Sequence, residues 1–160
     1  MANTSKRSLI LTALRGYFSA VVKDAPVDDP YPFEFGRVST GPLTLGDYSK
    51  QFAVGLVVGD EVKRDLFPFK ECTLPIAIEF QRVKQKGEGE PGDIAEEMLT
   101  VVQRVVNEAA DLPAKLGLDW VIDVRETGNH IDLDSFSDKA VAGVLFIEVQ
   151  YRHARYDTRN

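Results

Sequence analysis

A chain of 160 residues, 44% hydrophobic and 28% charged, is long enough for one domain with a real core and has an ordinary globular composition. Its net charge of −6 disfavours general nucleic-acid binding, which depends on neutralising phosphates, and its single cysteine excludes an intrachain disulfide framework. No apolar run approaches the roughly 18 residues of a membrane span, and residues 1–7 lack the apolar core of a signal peptide.

Charge is unevenly spread. Residues 1–23 carry four bases and no acid, residues 24–147 hold 23 acids against 12 bases, and residues 148–160 come to +1. A basic start and a basic end thus flank an acidic body. Solubility is the plain reading of such a body; a repulsive, non-sticking wall facing DNA is the functional one.

Thr4 or Ser5 is a plausible cap for an opening helix. Leu9, Ile10, Ala13, Leu14, Tyr17, Phe18, Val21 and Val22 recur at helical spacing and predict a stripe packed on a sheet. Lys6, Arg7 and Arg15 fall mostly on the opposite, solvated side. Pro26, Pro30 and Pro32 end any helix, and residues 26–51 read as irregular. Phe33, Phe35, Leu43, Leu45 and Tyr48 are too apolar for a simple solvated loop, so they either tuck under the core or wait for a protein partner.

The middle is β-rich. Residues 52–58 form a short apolar run closed by Gly59-Asp60, residues 61–70 offer a short strand broken at Pro68, and residues 73–83 alternate cleanly. Leu74, Ile76, Ile78 and Phe80 share one face of that last strand, and Pro75 suggests that its start lacks one neighbour. Residues 84–92 read as a flexible charged loop, with none of the Gly-Lys-Ser/Thr chemistry of a phosphate loop. Asp93 is the expected cap of a second helix, with Glu96 as its capping-box partner and a stripe from Ile94 to Ala109.

Leu118, Trp120, Ile122 and Val124 predict one face of a further strand, followed by a turn and a short polar strand over residues 127–134. Residues 140–153 are the most strand-like of all. Val141, Leu145, Ile147, Val149 and Tyr151 lie on one face, while Val144 and Phe146 suggest cover on the other face as well. A polar tail, residues 154–160, follows. The expected architecture is a single α+β domain over residues 1–160, in the order helix, three strands, helix, three strands. A mainly antiparallel β-sheet would carry both amphipathic helices on one face.

Chemistry is sparse. His130, Asp132 and Asp134 superficially resemble a metal cluster, but a wet turn explains them as well. His153 is expected to be exposed among Arg152 and Arg155, and Cys72 reads as a passive thiol. There is no nucleophile elbow and no paired-carboxylate cleft. The expectation is a protein that is not an enzyme, with no catalytic residue, metal or cofactor.

The opening helix ending near Val22, the strand pair at residues 52–60 and 73–83, the helix at residues 93–111, the strand around Trp120 and the last strand Ile147-Glu-Val-Gln-Tyr-Arg-His together form a pattern. That pattern resembles the tail terminator (tail completion) proteins of long-tailed bacteriophages. The likeness covers most of the chain and rests on the order of elements, so no binding residue is carried over from it. It implies a small structural virion protein forming a ring, hexameric in that family, on the head-proximal end of the tail tube. Such a ring stops tube polymerisation and presents the surface that joins the head. The implied partners are further copies of itself, the major tail tube protein and a head–tail connector or head-completion protein. DNA would pass through without sequence-specific binding. The implied location is the virion tail near the neck, with host cytoplasm during assembly. A head–tail connector or head-closure subunit is the nearest alternative, and a small cytoplasmic ligand-binding or regulatory module is one from another class.

A ring needs surfaces that match head to tail. Phe33, Phe35, Leu45, Tyr48, Tyr151, Arg152, Arg155 and Tyr156 are residue types enriched at interfaces and are the candidates for it. Completion of the monomer core is the competing role for the aromatic ones.

Overall fold

The structure is a computed structural model that describes residues 4–44, 52–132 and 140–154. It is α+β: six strands in one mostly antiparallel sheet, with two helices on one of its faces. Helix α1 spans Lys6–Ser19 and is followed by strands β1 (Phe35–Ser39), β2 (Phe52–Val58), β3 (Val62–Leu66) and β4 (Phe69–Val83). Helix α2 (Pro91–Ala110) then leads to β5 (Val121–Ile131) and β6 (Ala140–Ala154). Four strands, not three, therefore precede the second helix, and two follow it.

The sheet order is β1-β2-β4-β6-β5, and β3 continues the line of β2 along the same edge of β4. β4 changes partner between Ile76, opposite Val58 of β2, and Thr73, opposite Val62 of β3. Pro75 sits in that gap, where a missing N–H costs least, and its carbonyl accepts from Gly59 N at 2.8 Å. As expected, Pro68 interrupts the stretch of residues 61–70. It stands in the two-residue turn between Leu66 and Phe69, so β3 and β4 form a hairpin. β6 pairs with β4 over its whole length and with β5 on its other side, which makes it the interior strand expected.

Ser5 caps α1, its hydroxyl accepting from Ser8 N at 3.1 Å, and Ile10, Leu14 and Phe18 are buried at four-residue intervals. The helix ends three residues before Val22. Two consecutive β-branched residues favour extended backbone. Lys23 then bridges to Tyr31 while Asp24 turns the chain at φ 51°. α2 starts earlier than expected, with Glu90 as cap and Pro91 in the first turn, because proline's fixed φ suits the start of a helix. Asp93 then lies inside the first turn, and the loop expected to reach Gly92 is shorter. Ile94, Met98, Val101, Val102, Val105, Val106 and Ala109 are all buried.

The core lies between these helices and one face of the sheet: Leu74, Ile76, Ile78 and Phe80 of β4, and Val141, Leu145, Ile147, Val149 and Tyr151 of β6. The other face of β6 is not covered in its middle, for Phe146 remains 42% exposed. Two irregularities shape β5. A register shift between Val121 and Asp123 puts Val121 and Val124 inward and leaves Ile122 39% exposed, overturning the simple alternation. A second, between Glu126 and Gly128, lets the strand continue through the residues expected to turn.

Candidate interaction surfaces

The described interface candidates separate into buried and exposed. Phe33 meets Phe52 edge-on with centroids 5.6 Å apart, and the Arg82 guanidinium lies 4.9 Å from its ring centre. Phe35 sits edge-on to Phe18 at 5.1 Å and 4.7 Å from Phe52. These rings tie α1 to the β1–β2 edge and pack against the chain's own core. Tyr151 is corrected outright. It is fully buried, because two-residue alternation along β6 places it on the same inward face as Ile147 and Val149. Arg152, on the opposite parity, is exposed and lies 3.4 Å from Glu71 on the neighbouring strand. Leu45, Tyr48, Arg155 and Tyr156 lie outside the described residues.

His153 is buried as well, at 3% exposure, since it too points inward; its Nδ1 lies 2.9 Å from the Ala154 carbonyl. His130 is exposed on β5, and Asp134 lies outside the described residues. No group of three or more metal-ligating side chains occurs among the described residues.

Tyr151 belongs to a polar cluster at the root of the β3–β4 hairpin. Its hydroxyl donates to the Glu61 carboxylate, which Lys63 approaches to 3.3 Å. Burial and the bond to Glu61 both push the Tyr151 hydroxyl above its usual range. Cys72, opposite Tyr151 on β4, is raised by burial and then by the Glu61 charge, so it stays a thiol at neutral pH. Trp120 packs edge-on to Tyr151 at 5.6 Å, and Lys6 lies over Trp120 while donating to the Arg152 carbonyl at 3.0 Å. The amino end of α1 is thus fastened to the carboxyl end of β6.

Beyond this root β3 forms the sheet edge, while the β4 arm of the hairpin stays paired with β6 down to Phe69. Every residue of β3 is exposed, and Val62, Leu66, Phe67 and Phe69 are 66%, 36%, 80% and 47% exposed. Sequence reading missed this feature, although Leu66-Phe67-Pro68-Phe69 held the signal: turns are ordinarily polar, and this one is not.

A second apolar surface lies at the other end of α1. A cavity of about 600 Å³ opens between the last turn of α1, residues 20–31 and the end of α2, walled by Val21, Val22, Val27, Val105 and Leu112. Its polar rim is internally satisfied. Tyr31 Oη donates to Glu108 Oε2 at 2.7 Å, Arg104 Nε to Glu108 Oε1 at 2.8 Å, and Arg104 Nη2 to the Asp29 carbonyl at 2.6 Å. The guanidinium also stacks 4.0 Å from the Tyr31 ring centre. Burial alone would raise the Glu108 carboxyl, but the bonds from Arg104 and Tyr31 outweigh it and hold it below the usual range. Burial and the bond to Glu108 raise the Tyr31 hydroxyl. With these groups occupied by one another, what the cavity offers an incoming group is its apolar wall.

No protein-family model matches the chain, and no curated protein sequence matches it.

The uncovered sheet face is the third surface. Val57, Pro75, Ala77 and Phe146 line a groove of about 310 Å³ there, bordered by Glu148, which Arg125 engages at 2.7 Å. At the β2 end the same face is covered: Leu43 packs where a Cβ on Gly55 would sit, and Leu43 N donates to Glu79 at 2.9 Å.

Proposed function

We propose that this protein is a structural ring subunit of the tail-terminator type, which caps the head-proximal end of a long-tailed phage tail tube and offers the surface for joining the head. The observation that carries this reading is the placement of exposed apolar residues. Of the ten large hydrophobics exposed among the described residues, four lie on the hairpin and three (Val22, Val27 and Leu112) at the mouth of the cavity. Apolar residues concentrated at two separate places suit a subunit that meets neighbours on two sides, as a ring requires. The α+β architecture agrees with the resemblance seen in the sequence. An acidic body of 23 acids against 12 bases over residues 24–147 would line a bore that lets DNA slide without gripping its phosphates.

The test is incubation of the purified protein with tail tubes assembled from the major tail protein of the same genome. The proposal expects rings on one tube end only and tubes that no longer elongate. Continued elongation with no bound protein would sink it.

A further inference from the structure

We infer that the ring closes by insertion of the β3–β4 hairpin tip of one copy into the cavity at the far end of α1 in the next copy. This deepens the ring reading and rests on it. The two surfaces cannot meet within one protomer. The hairpin lies along the carboxyl end of β6, where Lys6 at the start of α1 is fastened, while the cavity is walled by Tyr17, Val21 and Val22 at and past its last turn. Fourteen residues of helix separate them by about 20 Å. A contact between opposite ends of identical chains is heterologous, and it propagates head to tail until the rotation closes.

The fit is chemical on two counts. The tip is led by Phe67, 80% exposed, with Leu66 and Phe69 behind it, and the cavity of about 600 Å³ is walled by valines and a leucine and has room for that ring. The charges also match. The hairpin, residues 62–73, carries Lys63, Arg64 and Lys70 against Asp65 and Glu71, while the cavity's surroundings carry Asp24, Asp28, Asp29, Glu108 and Asp111 against Lys23 and Arg104. A hairpin of net +1 therefore approaches a rim of net −3, which favours this docking over like-with-like pairing of the acidic rim.

The test uses the full chain in two formats. In light scattering across a concentration series, Phe67→Asp and Val27→Asp should each raise the concentration needed for assembly by at least about thirtyfold, as loss of a central apolar anchor does. Both positions are well exposed in the protomer, and circular dichroism should show an unchanged fold. In the second format, a chain carrying both Phe67→Cys and Val27→Cys is oxidised, the native Cys72 being buried. The expected product is a ladder of disulfide-linked oligomers ending at the ring. Rings that form with no such linkage, or with unchanged assembly of Phe67→Asp, would overturn the insertion and leave the ring reading standing. A dimer linked through the two Phe67→Cys positions would overturn it in favour of two-fold pairing. A wild-type chain that stays monomeric alone and with tail tubes would overturn both.

Discussion

Replacing Tyr151 by phenylalanine removes one oxygen from a fully buried position and changes almost nothing else. The ring keeps its edge contact with Trp120 at 5.6 Å, so no cavity opens. What goes is the hydrogen bond to Glu61, a carboxylate whose side chain is 6% exposed and which Lys63 approaches to 3.3 Å, together with the weaker bond to the Cys72 thiol. A hydrogen bond to a charged group contributes about 1.5–3 kcal/mol, most of it as the penalty of leaving the charge under-solvated. We expect a loss of about 2 kcal/mol, which for a chain of this size lowers Tm by roughly 4–8 °C. Thermal unfolding followed by circular dichroism measures it, and the Glu61→Gln variant completes a double-mutant cycle. Because Glu61 stands at the root of the β3–β4 hairpin, the same change should also loosen the hairpin and weaken assembly. A Tm within about 1 °C of wild type, with no coupling to Glu61, would refute the role given to this cluster.

Gly143→Ala should destabilise by about 1–3 kcal/mol in urea unfolding, since a Cβ there would stand 2.6 Å from the Phe80 ring and 3.0 Å from the His130 carbonyl. Ile122→Thr should stay within about 0.5 kcal/mol because the β5 bulge turns Ile122 outward, whereas Val124→Ala should cost more than about 1 kcal/mol. Burial would raise the Glu88 carboxyl, but hydrogen bonds from Gln85 N and Arg82 outweigh it and hold it below its ordinary value. A depressed folded-state pKa adds stability above the ordinary carboxylate value and loses it as pH falls through the folded one. Glu88→Gln should therefore flatten the acid limb of the stability–pH curve, on the acid side of the ordinary carboxylate range, while costing under about 1 kcal/mol at neutral pH.

Much of the fold could be read from periodicity alone. The buried stripe of α2, the repeat Ile10, Leu14 and Phe18 of α1, the bounds of β2 and the inward faces of β4 and β6 follow from spacing, whereas Leu9 and Val22 of the expected α1 stripe are exposed. What sequence missed was set by pairing or by local geometry. Strand β1 is five residues long and exists by pairing in parallel with β2. The bulges of β5 exist only relative to β6, and they decide both the outward turn of Ile122 and the merging of two expected strands into one. His153 was expected outside on account of its arginine neighbours, yet parity along β6 places it with Tyr151. Of the candidate interface residues, parity on the strand separates Arg152 from Tyr151, and composition could not. The α1 cavity was invisible for a further reason: it joins residues whose exposure depends on what the rest of the chain leaves uncovered.

The central claim is that these subunits close into a ring, and the molar mass of the purified full chain tests it most directly. Size-exclusion chromatography with light scattering, run over a concentration series and repeated with tail tubes present, should show a single closed species. Six copies of a 17.8 kDa chain is the stoichiometry the resemblance implies. A monomer or dimer at every concentration, with and without tubes, would contradict the account.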